Sequence, residues 1–179
     1  MKNLIEIPQK KELIYKGRYL EYHLDHVTLP NGQIATREYL HHPGAIAAVP
    51  LLDTGEVIMI KQFRYPTGSV ILEIPAGKLE AGEEPLTAVR RELIEEIGYE
   101  PQKVTHLISC WTTPGFTDEI IHLYLASELK PCQGELDPDE FLEVVTFNKA
   151  DLLKLLSTPG LIDGKTALAL ALVQLRDLW

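Results

Sequence analysis

The chain has 179 residues, of which 45% are hydrophobic and 24% charged, a balance that indicates one soluble globular domain rather than a disordered chain. Its formal net charge of −9 argues against a broad nucleic-acid surface and against binding to an anionic membrane. It has two cysteines, no signal-peptide pattern and no apolar run long enough to cross a bilayer. We therefore expect a cytoplasmic, reducing setting.

Short apolar runs bounded by turn residues predict five strands in the first part of the chain, at residues 20–28, 34–39, 45–52, 57–63 and 70–74. Pro30-Asn31-Gly32 between the first two runs is typical of a β-hairpin turn. Asp53-Thr54-Gly55 lies between the next two runs and predicts a second hairpin there.

A helix is predicted after these strands. Pro85 suits a first helical position, and Gly98 suits the residue just after the helix end. Apolar residues between them recur at helical spacing and predict one buried stripe, formed by Leu86, Val89, Leu93 and Ile97.

Three more strands and two more helices are predicted in the rest of the chain, at residues 104–112, 120–126 and 143–147 and at residues 149–156 and 165–178. Asn148 and Asp163 are the expected N-caps of the two helices. Many strands around one central helix, followed by a helix pair, indicate an α/β (α+β) domain.

The central helix carries a run of acidic residues. With 100° per residue, Glu92 and Glu96 border the apolar stripe, and Glu95 projects nearby. Divalent cations would remove the repulsion between these carboxylates, and hard oxygen ligands suit Mg²⁺ or Mn²⁺. Arg91 is predicted to face elsewhere and to hold Glu83 by an ion pair. The alternative is a solvated acidic helix face.

The segment from Gly77 to Tyr99 resembles the Nudix box, through Gly77, Glu83, Arg91-Glu92-Leu93, Glu95-Glu96 and Gly98 at the spacing of that family. The resemblance implies a Nudix fold, in which a mixed sheet lies between helices. It also implies metal-assisted hydrolysis of a nucleoside diphosphate linked to another group. The metal ligands that it implies are Glu92, Glu96, Glu95 and the backbone carbonyl of Ala76, and it gives Glu83 and Arg91 the task of ordering the loop.

Segments outside the box resemble the ADP-ribose pyrophosphatase branch of the family, namely Thr36-Arg37-Glu38, Gln62-Phe63-Arg64-Tyr65, residues 73–77, Pro114 and Asp163-Gly164-Lys165-Thr166. The resemblance implies an N-terminal antiparallel β extension, residues 1–40, that forms a homodimer, and a hydrolase domain, residues 41–179. Gly164-Lys165-Thr166 also resembles the end of a P-loop, but Pro159 stands where that loop requires glycine.

An ADP-ribose-like ligand needs cations for its diphosphate and acceptors for its ribose hydroxyls. Arg37 and Arg64 are the candidate cations, and a surface ion pair is the alternative for each. Glu73 and Glu119 are the candidate acceptors.

The acidic stretch at residues 135–140 is expected to supply a general base. Glu140 is the first choice and Asp139 the second, with Phe141 as an anchor for the loop. A solvated charge run is the alternative for this stretch. In a further alternative, the box glutamates themselves hold the attacking water.

These residues together predict a Mg²⁺-dependent enzyme, with Mn²⁺ as the alternative cofactor, that hydrolyses ADP-ribose and similar nucleoside diphosphate sugars. One rival is the same chemistry with GDP-mannose or another nucleotide sugar preferred. The rival from another class is a non-catalytic Nudix regulator that binds nucleotide sugars. No nucleic acid or membrane partner is expected.

Overall fold

The computed structural model describes residues 3–136, 138 and 140–179. The described strands are β1 (Ile7–Lys10), β2 (Leu13–Lys16), β3 (Glu21–Thr28), β4 (Ile34–His41), β5 (Ala45–Pro50), β6 (Val57–Arg64), β7 (Ser69–Glu73), β8 (Ala76–Lys78), β9 (Tyr99–Trp111), β10 (Ile120–Pro131) and β11 (Leu142–Phe147). The α-helices are α1 (Pro85–Ile97), α2 (Lys149–Ser157) and α3 (Gly164–Leu175). The predicted α+β class is confirmed.

The chain divides into two compact units, and the first contains residues 3–44 and 110–120 of the described chain. In this unit β3 and β4 pair as an antiparallel hairpin, in register from Glu21 opposite His41 to Thr28 opposite Ile34. Gly32 has φ +84° in the turn between them, a conformation that glycine adopts without a steric cost. The first predicted hairpin is therefore confirmed.

The strands β1 and β2 also belong to the first unit and pair antiparallel with β3. The family resemblance implies a β extension over residues 1–40, but the sequence pattern does not predict these two strands individually. Every residue of both strands is exposed, so their sequences lack the alternation of buried and exposed positions from which a strand is normally recognised.

The second unit contains residues 45–109 and 121–179. One of its sheets has the strand order β8-β5-β10-β9, and the other has the order β11-β6-β7. The first sheet is mixed, because β5 pairs in parallel with β10 and antiparallel with β8. All six residues of β5 are buried, and α1 and α3 both contact this strand. A mixed sheet with helices against it agrees with the predicted fold.

The second predicted hairpin is wrong. The turn at residues 52–56 forms, with the amide of Gly55 donating to the Leu52 carbonyl at 2.9 Å. However, the strands around it join different sheets, and only an isolated bridge connects Leu51 with Val57. The turn chemistry was recognised correctly, but the partners of β5 and β6 come from distant parts of the chain.

The helix α1 has the predicted bounds and leads into the site described below. Gly98 ends it in the left-handed conformation, with φ +69°, and donates to the Ile94 carbonyl at 3.1 Å. Val89, Leu93 and Ile97 are buried, but Leu86 is 47% exposed, so the predicted stripe does not extend into the first turn.

The predicted N-caps of α2 and α3 are both present. The Asn148 side chain accepts from the Asp151 amide, and the Asp163 side chain accepts from the Thr166 amide. Within the described residues, no helix has the length and apolar character needed to cross a membrane.

Candidate active site

The loop before α1 is held by a two-pronged ion pair. Arg91 donates from Nε and Nη2 to the two carboxylate oxygens of Glu83, both at 3.0 Å. This ion pair lowers the pKa of the Glu83 carboxyl below its ordinary value. The pair agrees with the prediction from the sequence and ties the loop to the second turn of the helix.

Arg91 does not face away from the other carboxylates, as the helical angles predicted. Its Nη1 donates to Glu92 Oε1 at 2.8 Å and to Glu95 Oε2 at 3.0 Å. A long arginine side chain reaches past its own helical position, so angles measured at Cα underestimate its range. One guanidinium therefore contacts three of the predicted site carboxylates.

Glu92 and Glu96 are the buried carboxylates of the site. Glu96 is 4% exposed and accepts a hydrogen bond from the Ala76 amide at 3.0 Å. Burial raises the pKa of Glu96 to about 8, and the neighbouring charge of Glu92 adds to the increase. Burial likewise raises the pKa of Glu92, although the contact with Arg91 opposes this change.

Gly77 is packed against the carboxylate of Glu92. A Cβ atom built on Gly77 would lie 1.7 Å from Glu92 Oε1, which is far inside any permitted contact. A side chain at this position would displace the Glu92 carboxylate, because the backbone of β8 approaches the acidic side chain directly.

The residues of this site fit a hard divalent cation. Buried carboxylate oxygens are the donor type that such ions prefer, and the raised pKa of Glu96 shows that the protein itself does not fully balance its charge. Among the described residues, no three His, Cys, Asp or Glu side chains already lie together in a ligating arrangement. Arg91 occupies part of the space between Glu92 and Glu95.

Glu140 lies close to the buried carboxylates. Its negative charge raises the pKa of both Glu92 and Glu96. Asp139, the second candidate base, lies outside the described residues. Phe141 is 81% exposed, so its ring does not anchor the loop in the substrate-free protein, and anchoring in a loop closed over bound substrate stays a prediction.

A second charged cluster borders the same carboxylates. Arg64 Nε donates to Glu73 Oε1 at 2.7 Å, and Lys165 Nζ contacts the other oxygen of Glu73. The positive charge of Arg64 opposes the rise in the pKa of Glu96, which places the guanidinium near the predicted metal ligands. Lys165 was not predicted as a site residue, because nothing in the local sequence connects it with Glu73.

Glu73 does not offer a free acceptor. Its side chain is completely buried and both oxygens are occupied by cations. This geometry does not support the expected contact between Glu73 and a ribose hydroxyl, because burial at the end of β7 directs the carboxylate to Arg64 and Lys165 instead.

The other two predicted substrate residues lie in the first unit. Arg37 forms a two-pronged ion pair with Glu6, at 2.9 Å from Nε and 2.5 Å from Nη2. Glu119 accepts from the Thr112 hydroxyl at 2.7 Å. An open cleft of about 360 Å³ in this unit is lined by Arg37, Pro114 and the exposed rings of Trp111 and Phe116, among others.

Comparisons with known proteins agree with the resemblance of the box. The model of the NUDIX domain matches residues 41–163. The ADP-ribose pyrophosphatase of Bacillus subtilis (strain 168) is 46% identical over 179 residues, covering 99% of this chain and 97% of that protein. The methanol dehydrogenase activator of Bacillus methanolicus is 42% identical over 170 residues, covering 94% and 92%.

A solved structure shares the fold over nearly the whole chain. The crystal structure of an ADP compounds hydrolase matches with a TM-score of 0.85 and 25% identity, covering 98% of this chain and 96% of that one. The predicted family and the predicted enzyme class are confirmed, and this chain belongs to the Nudix family of hydrolases.

Proposed function

We propose that the protein hydrolyses the diphosphate bond of ADP-ribose and of similar nucleoside diphosphate sugars. ADP-ribose would give AMP and ribose 5-phosphate. The observation that carries the proposal is the buried pair of carboxylates, Glu92 and Glu96, beside the cation of Arg64. The choice of ADP-ribose is supported by the relative from Bacillus subtilis, which carries that substrate in its name and matches almost the full chain.

Nudix ADP-ribose pyrophosphatases depend on divalent metals in general, and we assign Mg²⁺ to this site, with Mn²⁺ as the alternative. Glu92 and Glu96 would be its main ligands, joined by Glu95 and the carbonyl of Ala76. When bound, such a cation neutralises diphosphate charge and lowers the pKa of a coordinated water. Glu95 would have to give up its contact with Arg91 in order to take part.

The protein's own groups supply the remaining steps. The carboxylate of Glu140 accepts the proton of the attacking water, for which its position near Glu92 and Glu96 is the supporting observation. Arg64 binds oxygens of the diphosphate with the amino groups that Glu73 leaves free. The ion pair between Arg91 and Glu83 keeps the loop before α1 in place.

Arg37 and Glu119 remain candidate contacts for the substrate. For Arg37 this requires that a phosphate or ribose group replace Glu6, because that carboxylate occupies the guanidinium in the free protein. A measurable consequence is that Glu6→Gln should lower the KM for ADP-ribose, since the competing anion is removed.

The direct test is hydrolysis by the purified protein of ADP-ribose, GDP-mannose and UDP-glucose with Mg²⁺ or Mn²⁺, with products identified by mass. We expect ADP-ribose to have the highest kcat/KM and to yield AMP and ribose 5-phosphate. A preference for GDP-mannose would leave the reaction class intact and change the substrate, whereas no turnover of any nucleotide sugar would contradict the proposal.

The relative from Bacillus methanolicus is named for activating another enzyme, so a regulatory role is the second candidate. Glu92, Glu95 and Glu96 are all present in this chain, and we therefore favour hydrolysis over a non-catalytic role. Tight binding of ADP-ribose without any turnover in the assay above would favour the regulatory role.

We assign a cytoplasmic homodimer to the protein, formed through the N-terminal extension, residues 1–40. The supporting observation is a set of exposed apolar side chains on and beside the N-terminal strands, namely Ile5, Ile7, Ile14, Tyr15 and Ile34. Sedimentation equilibrium should give twice the monomer mass, and Ile34→Glu should shift it towards the monomer. A monomeric wild-type protein would contradict this assignment.

A further inference from the structure

The segment Asp163-Gly164-Lys165-Thr166 at the start of α3 is hydrogen-bonded to the strand end that leads into the box. Thr166 is fully buried, and its hydroxyl donates to Asp163 Oδ2 at 2.6 Å. The same hydroxyl accepts from the Ile74 amide at 2.9 Å. Because Ile74 follows Glu73 directly, the first turn of α3 fixes the backbone that presents this glutamate.

Lys165 adds a charge to this connection. Its Nζ contacts Glu73 Oε2 and lies 3.1 Å from Asp163 Oδ2, and the lysine side chain is only 16% exposed. A buried carboxylate without cationic partners is costly. Glu73 avoids that cost by having one cation on each oxygen, Lys165 on Oε2 and Arg64 on Oε1.

Glu73 binds a different cation on each of its two oxygens, and this arrangement determines which nitrogen atoms of Arg64 remain available for other contacts. Only Nε of the Arg64 guanidinium donates a hydrogen bond to Glu73, at 2.7 Å, and 38% of the side chain is exposed. Within the described part of the chain, the two terminal amino groups form no hydrogen bond. If Oε2 had no lysine, the planar guanidinium could turn to contact both oxygens of Glu73, which is the geometry that arginine prefers with carboxylates.

We propose that Lys165 is a positioning residue that, by occupying the second oxygen of Glu73, keeps the terminal amino groups of Arg64 available for the diphosphate of the substrate. This inference rests on the proposed function for the identity of the substrate. It assigns a role to Lys165 that is separate from metal binding and from proton transfer, since the lysine acts on the substrate only through Glu73 and Arg64.

The test is a double-mutant cycle on the full-length protein with ADP-ribose and Mg²⁺. Lys165→Met should raise KM about 10-fold and change kcat by less than about 3-fold, because ground-state binding of the diphosphate is weakened. Lys165→Arg, which restores a cation, should recover most of the affinity. Lys154→Met removes an exposed lysine from α2 and should leave KM unchanged.

The combination with Arg64→Ala separates positioning from a general structural effect. If Lys165 acts through Arg64, the double variant Arg64→Ala, Lys165→Met should have the KM of Arg64→Ala alone, within about 2-fold. Effects of the two substitutions that multiply would overturn the inference, as would a KM for Lys165→Met within about 2-fold of wild type.

Lys165→Met leaves Glu73 buried with one cation and is the variant most at risk of misfolding. If its circular dichroism shows misfolding, the pair Glu73→Met, Lys165→Met removes both buried charges together and replaces it. Without the Glu73 carboxylate nothing draws the amino groups of Arg64 away from the substrate, so KM should stay within about 3-fold of wild type. A rise in KM of about 10-fold in this pair would overturn the inference.

Calorimetric titration with ADP and Mg²⁺ distinguishes failure of this inference from failure of the proposed function, because it measures diphosphate binding without turnover. We expect Lys165→Met to raise the Kd for ADP about 10-fold. No hydrolysis by the wild-type protein would overturn the proposed function alone. An unchanged Kd in Lys165→Met would overturn the inference alone.

Discussion

Two buried glutamates of this molecule, Glu73 and Glu96, have opposite electrostatic surroundings. Glu73 at the end of β7 has a cation on each of its oxygens, from Arg64 and Lys165. Glu96 in α1 is almost as well buried, but it accepts a hydrogen bond from a backbone amide, that of Ala76, and its neighbours Glu92 and Glu140 are acidic. Burial alone therefore does not distinguish a candidate metal ligand from a carboxylate that is neutralised within the protein.

The difference separates a structural carboxylate from one that is ready for an external cation. The charge of Glu73 is balanced within the protein, so the glutamate can fix the position of Arg64 permanently. The charge of Glu96 is balanced only in part, and burial raises its pKa to about 8. An incoming divalent cation would supply the charge that the protein leaves out.

The largest effect on turnover is expected when Glu96 or its acidic neighbour Glu92 is replaced by a neutral residue. Glu96→Gln or Glu92→Gln should lower kcat by about 10³-fold at saturating Mg²⁺, because a charged metal ligand is lost. Glu84→Gln changes an exposed glutamate immediately before α1 and should retain wild-type kcat. Steady-state kinetics with ADP-ribose check both, and near-full turnover by either box variant would disprove the ligand assignment.

The next largest effect on kcat is expected at Glu140, the other acidic neighbour of Glu96. Glu140→Gln should reduce kcat by about 10²-fold with little change in KM, as expected when a general base is removed but binding is kept. The companion variant Asp139→Asn should lose only a few-fold. If Asp139→Asn is the more damaged of the two, the base lies one residue earlier, and if neither is damaged, the box and its metal activate the water without a loop residue.

Removing Arg64, one of the two cations that neutralise Glu73, should have a smaller effect on turnover. Arg64→Ala should raise KM for ADP-ribose about 10-fold and lower kcat less, since the diphosphate loses a binding partner in the ground state. Measuring KM for ADP-ribose and GDP-mannose side by side shows whether the effect follows the shared diphosphate. An unchanged KM for both substrates would show that Arg64 pairs with Glu73 but does not bind the diphosphate.

The smallest effect is on the stability of the metal-free protein. Glu96 has a pKa of about 8 when folded against a reference of 4.5, so the folded state holds a proton that the unfolded state releases as pH rises. The free energy of unfolding should thus fall as pH increases from about 4.5 to about 8.

Glu96→Gln removes this dependence and should make the protein more stable than wild type at pH 8, by about 1 kcal/mol or more. Urea unfolding in EDTA at pH 5, 6.5 and 8 measures both the slope and the difference. Equal slopes for the two proteins would show that Glu96 does not carry the proton. With Mg²⁺ present the order should reverse, because only the wild type gains from binding the cation.

Features specified by neighbouring residues were predictable from the sequence. Pro85 and Gly98 mark the two ends of α1, since one lacks an amide hydrogen and the other accepts a positive φ. Asn148 and Asp163 cap the next two helices through amides three residues later. The pair of Arg91 with Glu83 was predictable for the same reason, because loop and helix are adjacent in the chain.

Features that depend on distant partners were not predictable in this way. Lys165 and Glu73 are 92 residues apart, and no periodic pattern relates them. The turn between β5 and β6 is present as predicted. However, the sheet that each strand joins is determined by its pairing with β10 or β11, from the last third of the chain. Leu86 fits the helical stripe and is nevertheless exposed, because packing against β5 and β8 does not cover the first turn of α1.

The hydrogen bond from the Ile74 amide to the Thr166 hydroxyl has a consequence for the order in which the protein matures during synthesis. The ribosome makes the whole acidic helix, as far as Glu96, 70 residues before it makes Thr166. At about 5–20 residues per second this interval lasts about 4–14 s. A nascent chain thus carries Glu92 and Glu96, the proposed metal ligands, for several seconds before Thr166 can bind the Ile74 amide and fix the strand end that presents Glu73.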